Sequence, residues 1–178
     1  MKMHQLMTAS MVALLLTGGA FVAQAAQPGA GADAARIAQL EDREAIRALI
    51  RDYGRLLDER RFEEFGQLFA ADGEYVSGNT TKGPAAIGES LKRIMTANSL
   101  GLAEPNFHVL FNDHIELHGD RADATSQSFF VAPGADGAPQ IIMMATYTDN
   151  FVRTPRGWKF AKRVVKGNMS LRAAPKAK

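Results

Sequence analysis

The apolar residues of this chain change their period once, from 3.6 to two, near Asn106. Before that point, Ile46, Leu49, Ile50, Tyr53, Leu56 and Leu57 form one stripe on a helix that runs out over residues 58–61. Phe62, Phe65, Leu68 and Phe69 fit a short second helix. Asp72-Gly73 then turns the chain into a strand over residues 74–76, and residues 77–83 read as a polar turn. Pro84 suits the first turn of a third helix carrying Ile87, Leu91, Ile94 and Met95. After Asn106 the alternation predicts strands over 107–117 (single, or a bulged pair), 122–131, 140–154 and 158–165. Strands this long curl, and the helices are the only cover for them. The expected fold is therefore α+β: a strongly curved antiparallel sheet wrapped around the first long helix, with two further helices. A pocket is expected between helix and sheet.

The first 25 residues read as a signal peptide. Lys2 supplies a positive start, residues 11–22 are mostly apolar, and Ala23-Gln24-Ala25 has the A-x-A form of a cleavage site. The run is short of the roughly 20 residues that span a bilayer, so the expectation is cleavage and a periplasmic or secreted protein with no membrane attachment. Residues 26–36 read as a small-residue linker, 37–168 as the domain and 169–178 as a basic tail. Helical signal begins near Ala34, and Asp42 is expected to cap or interrupt it.

The chain has no cysteine, which removes disulfides and thiolate chemistry. Its 21 basic and 19 acidic residues become 20 and 19 once Lys2 is lost with the leader. Arg172, Lys176 and Lys178 lie in the tail, so the domain carries no basic face for nucleic acid. His114 and His118 are four apart on a predicted strand, roughly 13 Å, too far for a shared metal. No HExxH or glycine-rich phosphate loop occurs. With no nucleophile or cofactor motif, the chemistry left is general acid–base work by tyrosine, histidine and carboxylate, with no cofactor. His108 stands in an otherwise apolar strand, as a base or as a core histidine held by hydrogen bonds. Tyr53 and Asp58 are five apart, about 140° around a regular helix, so a shared site is expected to require the helix to end by about Leu57.

Several segments together resemble a known family. They are Tyr53-x4-Asp58, Leu68 through Tyr75 (LFAADGEY), Gly83-Pro84-Ala85-Ala86-Ile87 and Asn106-Phe107-His108, followed by Gly119-Asp120-Arg121-Ala122, Tyr147 through Phe151 (YTDNF) and Gly157-Trp158-Lys159-Phe160. In this order they resemble the SnoaL-like branch of the nuclear transport factor 2-like (NTF2-like) superfamily over about residues 40–165. That resemblance implies a cone of helices packed in a curved sheet. Bile acid 7α-dehydratases are similar in carrying a Tyr, an Asp five residues later and a His on the following sheet, which map onto Tyr53, Asp58 and His108. Scytalone dehydratase similarly pairs an Asp with a His, with a tyrosine near Tyr75. The implied activity is a cofactor-independent elimination on a hydrophobic, ring-containing hydroxylated or carbonyl compound. His108 would move the proton, Asp58 orient it, and Tyr53 hydrogen-bond the oxygen, with Tyr75 as a second donor. Phe65, Phe69, Phe111, Phe130, Met143, Tyr147 and Trp158 would draw the pocket wall. The alternative readings are a non-catalytic periplasmic binding module for an apolar metabolite, an isomerase or cyclase on the same fold, and a structural dimerisation domain. A homodimer or homotrimer is expected.

Overall fold

The computed structural model describes residues 29–98, 101 and 104–170. The expected leader and most of the basic tail lie outside the described residues. Helix α1 (Ala30–Asp58) buries Ile46, Ile50, Tyr53 and Leu57, spaced four, three and four apart. Its first third is exposed, so part of the expected linker is helical. Asp42 neither caps nor breaks the helix. Its carboxylate accepts from Trp158 Nε1 at 3.0 Å and from Arg153, a tertiary use that local propensity does not encode.

The exit of α1 is built from hydrogen bonds rather than from glycine. The Glu59 amide donates to the Arg55 carbonyl and the Arg60 amide to that of Leu57, and Arg60 takes a left-handed φ of 60°. A side chain pays a steric cost in that region. Arg60 offsets it by donating to the Leu57 carbonyl at 2.9 Å, and to Glu104 and Asn106 at 3.0 Å each. The reversal therefore ties the helix exit to the start of the sheet.

Helix α2 (Phe62–Gly66) is followed by β1 (Phe69–Ser77), so Phe69 opens a strand instead of closing a helix. Residues 79–82, expected as turn, form β2 (Asn79–Lys82), which pairs back on β1 around Gly78. After α3 (Pro84–Ala97) come β3 (Phe107–His118), β4 (Arg121–Pro133), β5 (Pro139–Thr154) and β6 (Gly157–Ser170). The strand order is β2-β1-β6-β5-β4-β3. Every pairing is antiparallel except β1 with β6. The sheet is thus mixed, because β1 joins the free edge of the last strand, a pairing that apolar period does not specify. Strand β3 is one strand with a register shift between Phe111 and His114, where Asn112 takes φ 53°.

The inward face of β4 is Ala122, Ala124, Ser126, Ser128, Phe130 and Ala132, all buried. Small residues there leave room for α1 against the sheet. Aromatic rings fill the rest: Tyr53 meets Phe65 at 5.1 Å, Phe69 meets Phe160 at 5.2 Å, and Phe151 meets Phe160 at 4.7 Å between centroids. Within these rings lies an ion pair with both side chains at zero exposure. Arg163 Nε and Nη2 donate to the two oxygens of Asp149 at 2.8 and 2.7 Å. The guanidinium is stacked 4.1 Å from the Tyr53 ring, 4.5 Å from Tyr147 and 4.4 Å from Phe160. On the opposite face of the sheet, Phe107, Val109, Ile141 and Met169 are exposed.

Candidate active site

Asp58 is the last residue of α1, and its carboxylate crosses to the start of β3. One oxygen accepts from the His108 amide at 2.9 Å and the other from His108 Nδ1 at 2.6 Å. An ionised carboxylate can only accept, so this contact assigns the ring proton to Nδ1. Nε2 is left as the acceptor nitrogen of the neutral ring. Both side chains are largely buried, at 9% exposure for His108 and 16% for Asp58.

The helix does not have to unwind to build this pair. Gly54 lies four residues before Asp58 and therefore on the same helix face. A Cβ added at Gly54 would lie 2.6 Å from Leu110 Cδ1 and 3.1 Å from His108 Cβ. The bare backbone of Gly54 lets β3 approach α1 closely enough for Asp58 to reach His108. The Leu110 methyl can rotate away, whereas His108 Cβ is held by its strand and by Asp58, so Gly54→Ala should lose about 1–3 kcal/mol in crowding against about 1 kcal/mol gained in helix propensity. Urea denaturation beside the wild type checks this; a more stable variant would show that the strand has slack.

Tyr53, on the neighbouring stripe, presents its ring edge-on to His108, with centroids 6.2 Å apart and planes at 84°. Its hydroxyl is 3.3 Å from the Tyr75 hydroxyl. Burial pushes the Tyr53 phenol well above its ordinary range, the neighbouring Tyr147 and Tyr75 push it further, and the Arg163 charge opposes them. Burial likewise raises Tyr75. Both remain neutral donors through the physiological range. The sign of the linkage follows. A folded-state pKa above the unfolded value near 10 gives stability that is complete below pH 10 and is lost as pH rises beyond it. Wild-type stability should fall by up to about 1.4 kcal/mol per pH unit for each such phenol above pH 10. Tyr53→Phe should show a shallower fall, read from denaturation midpoints at pH 8 and pH 11; parallel curves would contradict this.

His108 lies on the wall of a cavity of about 870 Å³. Phe62, Ile94, Met95, Phe130, Ile142 and Met143 supply apolar surface, and Arg60, Ser90, Arg93 and Asn106 supply polar groups. Of the expected wall, Phe130, Met143 and His108 line this cavity. Phe65, Phe69, Tyr75, Tyr147 and Trp158 do not, because they are consumed in core packing. Phe111 packs on Phe129 at 4.7 Å, on the opposite face of the sheet from His108. Tyr53 and Asp58 stand behind His108 rather than on the cavity wall. The contribution of α3 to the wall was missed: Ile94 and Met95 read from sequence only as a helix's apolar face. Ser128 and Tyr147 hydrogen-bond each other at 2.9 Å behind the wall. Among the described residues, no group of three or more His, Asp or Glu side chains is gathered to hold a metal ion.

Comparison with known proteins agrees with this architecture. Residues 38–164 match the family model described as a SnoaL-like domain. An uncharacterised protein of Mycobacterium tuberculosis is 30% identical over 129 residues, which is 72% of this chain and 86% of that protein. A solved NTF2-like protein with a cystatin-like fold from Novosphingobium aromaticivorans superposes with a TM-score of 0.64 at 33% identity, over 74% of this chain and 85% of its own. A second structure from the same organism, described as a candidate scytalone dehydratase, has a TM-score of 0.63 at 24% identity over 78% of this chain and 92% of its own. At that identity the likeness shows the fold alone.

Proposed function

This chain belongs to the SnoaL-like domain family, and we propose that it is a cofactor-independent lyase of the dehydratase type. Its substrate is a hydrophobic, ring-containing hydroxylated or carbonyl compound. One observation carries the reading: a histidine on the wall of an apolar cavity is held through Nδ1 by a part-buried carboxylate. That arrangement leaves Nε2 to take a proton from a substrate carbon, while the carboxylate stabilises the imidazolium that forms. The electron pair released from the C–H bond becomes the new double bond. The hydroxyl on the adjacent carbon takes the proton back from His108 and leaves as water, so the ring returns to its starting form. Tyr53 enters as a positioning residue, since its hydroxyl is turned to Tyr75 and its ring supports His108. The neighbour described as a candidate scytalone dehydratase supports this only at the level of fold.

A binding module without turnover is the second reading, favoured by the burial of the Tyr53 hydroxyl away from the cavity. The test is turnover on a panel of hydroxylated ring compounds, followed by the loss of a C–H and a C–OH signal in product spectra. Compounds that bind the wild type without being converted would establish the binding module. Export is part of the same proposal, resting on Lys2, the apolar run and Ala23-Gln24-Ala25. N-terminal sequencing of exported protein should begin within a residue or two of Ala26, and a sequence starting at Met1 would refute cleavage.

A further inference from the structure

We propose that the cavity beside His108 selects ring compounds bearing one organic anion, which Arg93 holds. This rests on reading that cavity as the substrate site. The charged side chains on its wall, His108 aside, are Arg60, Arg93 and Glu104. Arg60 and Glu104 pair with each other at 3.0 Å, and Arg60 also bonds Asn106 and the Leu57 carbonyl. Their charges cancel within the wall. Arg93 has no carboxylate partner among the described residues, although Glu89 stands one helical turn before it on α3. Arg93 is therefore the one cation on this wall whose guanidinium touches no carboxylate among the described residues. Arg93 lies beside Ile94 and Met95, and Phe130, Ile142 and Met143 complete the apolar wall. Arg93 is solvent-exposed at the edge of this cavity, so water screens part of its charge, and the apolar wall beside it must supply the rest of the hold on a ligand. The guanidinium fork matches a carboxylate or sulfonate in two parallel hydrogen bonds. A ligand with an apolar ring body and one acidic group satisfies both features. A neutral ligand of the same shape fills the wall but leaves Arg93 to water.

The experiment uses two fluorescent probes that share an arylnaphthylamine body, 8-anilinonaphthalene-1-sulfonate and its neutral analogue N-phenyl-1-naphthylamine. Each is titrated into the full mature chain and its variants, with folding monitored by circular dichroism. Arg93→Gln should weaken the sulfonate probe about tenfold, the loss expected when a hydrogen-bonded ion contact is removed. The neutral probe should stay within about twofold in the same variant, because apolar burial is unchanged. Arg93→Lys should restore part of the sulfonate affinity. Ala97→Trp, which adds an indole ring to the cavity lining, should displace both. An unchanged ratio of the two affinities in Arg93→Gln overturns the anion assignment but leaves the cavity reading intact, provided Ala97→Trp still removes the neutral probe. Sulfonate binding that survives Ala97→Trp places that probe elsewhere and overturns the assignment. Failure of both probes to bind the wild type overturns the assignment and the cavity reading together.

Discussion

Asp149→Ala is expected to destabilise the protein by about 3–5 kcal/mol, the usual loss when one member of a buried ion pair is removed. The carboxylate carries no solvent exposure and accepts two hydrogen bonds from Arg163. Without it, the guanidinium would remain among the Tyr53, Tyr147 and Phe160 rings with no anion. Its Nη1 already has no partner among the described residues, so it has little means of compensating. A double replacement, Asp149→Leu with Arg163→Met, should recover most of that loss, because apolar groups of similar volume often match a buried pair in stability. Chemical denaturation of the wild type, the single variant and the double variant checks both statements. A single variant within about 1 kcal/mol of the wild type would mean that solvent or a neighbour neutralises Arg163 after all.

His108→Gln should reduce turnover roughly 10²–10⁴-fold while sparing ligand affinity, if the histidine moves the proton. Asp58→Asn tests the same dyad from behind. An amide offers one acceptor oxygen, whereas Asp58 receives both the His108 amide and its ring. The substituted side chain must turn its own N–H₂ toward one of these donors, which favours the ring tautomer protonated at Nε2. The nitrogen facing the substrate would then be a donor instead of a base. Turnover should fall while His108 itself is still present, and the pH–rate profile should shift. Thermal melts must accompany both variants, because Asp58 also satisfies the backbone at the start of β3. Equal turnover in wild type and His108→Gln would remove the dyad from the mechanism and favour the binding module.

The change of apolar period determined the fold class, because burial on one helix face or one strand face leaves a mark within a few residues. The helix stripe from Ile46 to Leu57 and the strand carrying His108 are both read that way. The candidates Asp58 and His108, which the structure brings into contact, came from the resemblance rather than from period. Its geometry was not. Tyr53 and Asp58 stand about 140° apart on a regular helix, yet each approaches His108, because Gly54 between them admits the strand. The close approach of another segment depends on what that segment presents, which local sequence does not state.

Asp149 could have been noticed: Ala145, Tyr147, Asp149 and Phe151 alternate inward at period two, and the acid stands in that register. Its partner could not, since Phe160 and Arg163 are three apart and share the interior only through the register shift in β6. The cavity wall was decided the same way. Whether an aromatic ring lines space or fills it depends on how much volume its neighbours leave, and that is a property of the packed whole. Phe65 and Tyr147 were spent on the core around Arg163, while Ile94 and Met95 were left over the opening beside His108. Sequence settled the long helices, the four long strands and most of the faces they bury, but not β2 or the strand start at Phe69. Tertiary packing decided which side chains were left facing empty space, because that outcome is a remainder of every other contact.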